Sequence, residues 1–353
     1  MKTLGVSLWG GQVRGHGQNH ATLVRTTNVV DIRPPDRADR ARASFRDLYL
    51  RAYPKFAAAC RDIDEPGLAI IAIDEISGRA SGIARLYARV DRHVAAIIGR
   101  HDACDLYLSG SASLALRHLA IVLDPVKSYQ RGQSDVRFRV FDLRTSNGMV
   151  DEEGRPLRGL RSDGPAMLRC GGYAIMALPI GDPSDWPASA SDAWEITPER
   201  IYFDEMDGSI PPANGSLPGM PFRPTGHSSI IMRTHGPRDT GMKLVREGDV
   251  AGTIEIKTPH NGGVITVGET ALRDGVLLGR YARCDGAGLA DDPSLSRVHA
   301  MIINIDDRLL AIDTASFNGT RIHGEDKQRV LPLDAASDLR LGSHTQVRWR
   351  WLA

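Results

Sequence analysis

The feature that most restricts the fold of this 353-residue chain is an internal repeat. "IIGRHDACD" (97–105) returns as "LLGRYARCD" (277–285), and "LRHLAIVL" (116–123) as "RVHAMIIN" (297–304). "FDLRTSNG" (141–148) returns as "IDTASFNG" (312–319), and "LRCGGYAIMAL" (168–178) as "LRLGSHTQVRW" (339–349). The spacing returns with the order. Cys104 stands 14 residues before His118 and Cys284 stands 15 before His299, while Asn147 and Asn318 each stand 24 before Gly171 and Gly342. One interval differs, 29 residues from His118 to Asn147 against 19 from His299 to Asn318. The surplus is a polar stretch around "KSYQRGQSD", of the kind a hairpin tip tolerates. A chain patterned in this way folds as two copies of one domain.

Each copy reads as β. Short runs rich in Ile, Val and Leu are separated by turn chemistry such as "ISG" (76–78), "HNGG" (260–263) and "IDDR" (305–308). Strands at short spacing without helical periodicity predict an all-β protein made of two antiparallel sandwiches. Between them, Gly181 to Gly241 holds nine of the chain's twenty prolines. Such a segment can neither donate a full hydrogen-bond ladder nor keep helical dihedrals, so it is read as a linker. Trp186, Trp194 and "IYF" (201–203) within it are candidates to dock on a neighbour. The exception to β is an N-terminal helix at about 40–62. Phe45, Leu48, Tyr49 and Ala52 fall at i, i+3, i+4 and i+7, an apolar stripe that packs on the first sandwich, and Pro54 is expected to interrupt or restart it. The expected organisation is a 1–66 extension carrying the helix, a first sandwich over 67–180, a linker over 181–248 and a second sandwich over 249–353.

Composition excludes several classes. Lys plus Arg is 44 and Asp plus Glu is 43, so no bulk charge points to nucleic acid or an anionic membrane. The longest apolar run, "LAIIAI" (68–73), suits a core strand and is far short of a membrane span. The N-terminal "MKTLGVSLWGGQVRGHG" makes a poor signal peptide. The four cysteines (60, 104, 170, 284) have no close pair, which gives neither a zinc spacing nor a disulfide framework and fits a reducing cytoplasm. No phosphate-cradling glycine loop, Gly-x-Ser-x-Gly or His-Glu-x-x-His occurs. His16 and His20 are four apart in a Gly-rich stretch rather than on a helix, which favours a tail over a metal site. No metal, cofactor or catalytic set is expected.

What remains is a set of residues at strand ends. Gly279-Arg280, then Ser296-Arg297-x-His299, then Asn318-Gly319 resembles the forkhead-associated (FHA) domain in order and spacing. The resemblance covers about 250–353 well and about 67–180 more weakly. It implies a β-sandwich that binds phosphothreonine peptides through loops at one end. The chemistry agrees. A phosphothreonine carries close to two negative charges and three acceptor oxygens, so its site needs fixed donors and at least one full positive charge. By the resemblance Arg280, Ser296 and Arg297 hold the phosphate and Asn318 the residue that follows it. Gly319 permits the turn that presents Asn318, and His299 beside Gly279 braces the loops. Taken singly, each motif is a common surface turn. Linked, in register and duplicated, they are specific.

The copies are not equal. Arg100, His118 and Ser146-Asn147-Gly148 match, but Ala115 and Leu116 stand where the second copy has Ser296 and Arg297, and neither side chain donates a hydrogen bond. Ser111, Ser113 and Arg117 lie close enough in sequence to substitute after a loop shift, although loss of function is the simpler expectation. Phe317 also departs from the family, which often places Thr or a small polar residue before the Asn. The chain is thus expected to be a non-catalytic phosphothreonine-peptide adaptor in Ser/Thr-kinase signalling. Its partners would be phosphothreonine-containing proteins, a Ser/Thr kinase or its substrate among them, with no nucleic acid and no membrane insertion. The alternative is an assembly protein whose sandwiches bind partners regardless of phosphorylation. Thr26 and Thr27 in "VRTTNVVD" are candidate phosphorylation sites, since a tethered phosphothreonine would act at high effective concentration.

Overall fold

The run Leu68–Ile73 is buried on both faces, and what lies on each face accounts for the first half of the architecture. The computed structural model describes residues 42–128, 132, 135–198, 200, 230–234, 250–285, 292–322, 324–333 and 338–351. Thr26, Thr27 and the 201–203 stretch lie outside the described residues. Strand Gly67–Asp74 pairs antiparallel with Ala80–Tyr87 on one side and Tyr173–Ile180 on the other. Leu68, Ile70 and Ala72 point into the sandwich core. Ala69, Ile71 and Ile73 point the other way, onto a helix.

That helix is Phe45–Cys60. The Ser44 hydroxyl caps it, accepting from the Asp47 backbone N–H at 3.0 Å, and so satisfies one of the orphan donors of the first turn. Phe45, Leu48, Tyr49 and Ala52 form the buried stripe as their spacing predicts. Pro54 neither interrupts nor restarts it: the helix runs unbroken through that residue. The hydrogen bond that proline removes is offset by packing, because Tyr53, Phe56 and Ala57 around it are buried. The beginning of the Pro-rich segment completes this layer. Pro183–Asp185 forms a 3-10 turn and Ala190–Ile196 a short helix. Trp194 lies 5.1 Å from the Tyr49 ring, and the Tyr53 hydroxyl donates to the Pro187 carbonyl at 2.6 Å.

Both halves are antiparallel β-sandwiches built on one plan. The first sets a six-stranded sheet against a sheet formed by 106–107, Val94–Gly99, Leu119–Leu123, Phe138–Asp142 and Gly159–Ser162. The second sets a six-stranded sheet against one formed by Val276–Leu278, Ala300–Ile305, Arg308–Asp313 and Val330–Pro332. In each large sheet the last strand pairs with an early one, Tyr173–Ile180 with Gly67–Asp74 and Thr345–Trp351 with Val250–Lys257: Ile70 opposes Ala177, and Ile254 opposes Trp349. Among the described residues, no helix covers the large sheet of the second copy as one covers that of the first. Strand Val250–Lys257 accordingly alternates, with Ile254 and Ile256 buried while Thr253 and Glu255 are only half-buried. Its outer strand, Ile230–Thr234, comes from within the segment read as linker and pairs with Gly262–Gly268. A six-residue helix, Glu269–Asp274, interrupts the β pattern.

The two small sheets face each other. Ile97, Ala120, Val122 and Phe141 from the first copy share one apolar cluster with Leu277, Met301, Ile303 and Ile312 from the second. These are equivalent positions of the repeat, so the contact is close to self-complementary, as in a two-fold dimer. The sandwiches are therefore packed face to face, beyond being joined through the 181–248 segment. Around the apolar centre runs a polar rim. Arg144 pairs with Asp285 at 2.6 Å, Arg139 with Asp306 at 3.0 Å and Arg329 with Asp105 at 3.3 Å. Residues from Arg42 onward make up one compact unit.

All four cysteines are free and buried, and burial pushes the thiols of Cys60, Cys104 and Cys284 up to about 11. They are packing residues at neutral pH. Among the described residues no helix is long and apolar enough to cross a membrane, and no group of three or more His, Cys, Asp or Glu side chains could hold a metal ion.

Candidate phosphate-binding loops

The repeated motifs gather at one end of each sandwich, and a buried histidine organises each end. In the second copy the Ser296 backbone N–H donates to His299 Nδ1 at 3.0 Å, and His299 Nε2 lies 3.1 Å from the Gly319 carbonyl. Because Nδ1 accepts and a carbonyl can only accept, the proton sits on Nε2. Burial lowers the pKa of His299, which keeps the ring neutral. One uncharged imidazole thus ties the Ser296 loop to the Asn318-Gly319 turn. The first copy repeats this with Ala115 N–H to His118 Nδ1 at 3.0 Å and His118 Nε2 to the Gly148 carbonyl at 2.9 Å.

The loop before the histidine is held by the Gly-Arg pair. Arg280 N–H donates to the Ser296 carbonyl at 3.1 Å and Tyr281 N–H to the Arg297 carbonyl at 2.9 Å. Glycine is required at 279 because a Cβ there would lie 2.4 Å from the Arg297 carbonyl oxygen, and at Gly99 one would lie 2.2 Å from that of Leu116. Gly279→Ala is expected to destabilise the chain by about 1–3 kcal/mol, since the strand must shift to admit a methyl group. Denaturant unfolding monitored by tryptophan fluorescence measures this, and an unchanged midpoint would contradict it.

The turn after the histidine has its own anchor. Asp313 accepts from the Ser316 N–H (2.8 Å) and hydroxyl (2.5 Å) and from the Thr320 hydroxyl (2.7 Å), and Ser316 Oγ accepts from Gly319 N–H at 2.9 Å. In the first copy Asp142 accepts from the Thr145 N–H and hydroxyl, and Thr145 Oγ1 from Gly148 N–H at 3.1 Å. Gly319 sits at φ +77° and Gly148 at +59°, the left-handed region that the turn requires. Asp313 and Ser316 were not singled out from the sequence. Their signal was present in the repeated motifs, where Asp is followed three residues later by Ser or Thr.

With these internal bonds in place, the groups left facing outward can be identified. Arg280 is exposed and spends only Nε, on the Leu295 carbonyl at 2.5 Å, which leaves both terminal nitrogens to solvent. Ser296 Oγ, 8% exposed, accepts from Phe317 N–H at 3.0 Å and retains its own proton to donate. Asn318 Nδ2 donates to the Ser294 carbonyl at 2.7 Å, which fixes the amide and leaves its oxygen and second N–H. Phe317 is 80% exposed beside them. The first copy keeps part of this arrangement, with Arg100 Nε on the Leu114 carbonyl at 2.5 Å and Asn147 Nδ2 on the Ser113 carbonyl at 2.6 Å. Ala115 and Leu116 leave a gap where the hydroxyl and guanidinium would stand.

Arg117 does not fill that gap. Its guanidinium crosses to the second copy, where it donates to the Ala315 carbonyl at 2.6 Å and approaches Ser296 Oγ at 3.4 Å. Arg283 crosses in the opposite direction, donating to the Arg144 carbonyl at 2.8 Å and to Ser146 Oγ at 3.2 Å. Ala315 and Arg144 are equivalent positions, and both are non-glycine residues at positive φ, +60° and +53°. Each copy thus presents a carbonyl from a strained turn to an arginine of the other. Arg297 is exposed and lines the space between the copies.

Residues 276–348 match the family model described as FHA domain. The chain is structurally similar to the crystal structure of Mycobacterium tuberculosis Rv1747 FHA-1 (18% identity, 29% of this chain and 99% of that one, TM-score 0.24). It is also similar to the FhaA FHA domain complexed with the intracellular domain of Rv3910 (20% identity, 35% and 100%, TM-score 0.21). A third similar structure is Mycobacterium tuberculosis EmbR in complex with a low-affinity phosphopeptide (24% identity, 32% and 24%, TM-score 0.23). Among curated proteins none matches the chain.

Proposed function

We propose that the chain is a non-catalytic adaptor in Ser/Thr-kinase signalling that binds phosphothreonine peptides through its C-terminal sandwich, in the cytoplasm. Arg280 and Ser296 hold the phosphate and Asn318 holds the backbone of the next residue, whereas Arg297, expected from the resemblance to share the phosphate, lines the cavity between the copies. The observation that carries this reading is the set of outward donors at the 276–348 loops. After the internal bonds among the described residues are made, the Arg280 terminal nitrogens, the Ser296 hydroxyl proton and an Asn318 N–H remain undonated at one end of the sandwich. A phosphate dianion needs donors of this kind fixed before it arrives. The partner is a phosphothreonine-containing protein, a kinase or one of its substrates.

An immobilised peptide library with a central phosphothreonine, run beside the same library with unmodified threonine, tests this. Retention of the phosphorylated library alone is expected. Equal retention of both would instead support phosphorylation-independent assembly. The library also reads selectivity. Phe317 offers an aromatic face next to Asn318, so the wild type is expected to prefer an apolar residue close to the phosphothreonine, and Phe317→Thr to lose that preference. Stability should change by no more than about 0.5 kcal/mol, as for other exposed positions.

A further inference from the structure

The loop end of the first sandwich faces the second copy on one side and solvent on the other. It opens onto a cavity of about 240 Å³ between the two copies. The lining is unbalanced in charge: Arg100 and Arg117 come from the first copy, Arg283 and Arg297 from the second, and no carboxylate takes part. The acidic residues of the same loops are engaged elsewhere. Asp285 pairs with Arg144, Asp313 with Arg329, and Asp142 accepts from Thr145. Two of the four guanidiniums are anchored to carbonyls of the opposite copy. The terminal nitrogens of Arg100 and the whole guanidinium of Arg297 make no hydrogen bond or ion pair with described residues.

We propose that this cavity is a second phosphate-binding site, assembled from both copies. Arg100 and Asn147 are the surviving half of the first copy's own site. Arg283 and Arg297 bring from the second copy the positive charge that Ala115 and Leu116 no longer supply. Arg117 and Arg283 are fixed by carbonyls of the opposite copy and Arg100 by its Nε bond to Leu114, so three of the four like charges stand in place before an anion arrives. At about 240 Å³ it falls below the ~300–1,000 Å³ of pockets that take a whole small molecule, and it suits one phosphorylated side chain. Planar guanidiniums that converge from two sides match the tetrahedral, multi-acceptor phosphomonoester better than a carboxylate. The ligand class, a phosphorylated peptide, rests on the reading of the C-terminal loops; the site itself does not use Arg280.

The test is a titration of the full chain with a phosphothreonine peptide, and separately with inorganic phosphate, at constant ionic strength held with chloride. It is followed through the arginine Nε–H signals in ¹H–¹⁵N spectra. Signals are assigned by their loss in Arg100→Ala, Arg283→Gln and Arg280→Ala. Saturable shifts of the Arg100 and Arg283 signals are expected, and these should persist in Arg280→Ala. Joint replacement of Arg100 and Arg283, followed through the Arg297 signal (assigned by its loss in Arg297→Gln), should weaken this event about tenfold or more and leave the Arg280 shift in place. Arg100 and Arg283 signals that stay still while Arg280 titrates, or that follow chloride as well as phosphate, would overturn the second site. A silent Arg280 signal with saturable Arg100 shifts would instead overturn the C-terminal reading and leave this one standing.

Discussion

Replacing Arg280 with Ala is expected to lower affinity for a phosphothreonine peptide about ten- to a hundredfold. A charge-assisted hydrogen bond contributes roughly 1.5–3 kcal/mol, and ~1.4 kcal/mol is a factor of ten. With Nε already committed to Leu295, what Arg280 offers a ligand is its terminal pair of nitrogens. Ser296→Ala removes one neutral donor and should cost about tenfold. It should also disturb the loop, because Ser296 Oγ holds Phe317 N–H. Arg100→Ala should leave this binding event within about twofold, since Arg100 belongs to the other sandwich. Binding should weaken as pH falls through about 6, where phosphate takes up its second proton. His299 blurs that profile less than a free imidazole would, because burial lowers its pKa. Calorimetry on the three variants between pH 5.5 and 8 measures all of this. Equal losses in Arg100→Ala and Arg280→Ala would overturn the asymmetry between the copies.

The largest effect on stability is expected from Arg139→Ala, about 3–5 kcal/mol. Arg139 is 2% exposed and Asp124 7%. The two form a buried ion pair, and a second nitrogen of Arg139 reaches Asp306 of the other sandwich at 3.0 Å. Removing the arginine leaves the buried Asp124 carboxylate without its hydrogen-bonded guanidinium. In the wild type burial and the nearby Arg139 hold the pKa of His93, 3.6 Å away, down to about 4; with the arginine gone, any proton His93 regains is taken up on acidification, in the same direction as Asp124. The pH dependence follows from Asp124. Its pKa is already raised, burial outweighing the attraction of Arg139, and loss of the arginine raises it further. A carboxyl whose folded pKa lies above its unfolded value weakens the fold at neutral pH and is relieved as it protonates on acidification. The deficit of the variant relative to wild type should therefore be greatest near pH 8 and shrink towards pH 5. Urea unfolding across that range measures it, and a deficit that grew on acidification would contradict the assignment.

Much of this molecule was legible in its sequence, for reasons that specific residues make plain. The repeat gave the two sandwiches because spacing is kept where the backbone is fixed, at Gly-Arg, at the histidine and at Asn-Gly. The helix was legible because Phe45, Leu48, Tyr49 and Ala52 obey one period. Its course through Pro54 was not, because tertiary packing decides whether a proline ends a helix. Helix Glu269–Asp274 was missed because six residues are too few to show a period. The face-to-face packing leaves a trace in the sequence. "LAIVL" and "AMIIN" are apolar without alternation, which marks strands covered on both faces. The crossing arginines could not be read at all: Arg117 meets Ala315 from 198 positions away and Arg283 meets Ser146 from 137. No local pattern encodes such a meeting.

The central claim, that the C-terminal loops read a phosphate, is tested most directly by one calorimetric comparison on the full chain. A peptide retained from the phosphothreonine library is titrated beside the same peptide with unmodified threonine, at pH 7.5. Saturable binding of the phosphorylated peptide alone is the predicted result. Equal affinity for the two peptides would contradict it.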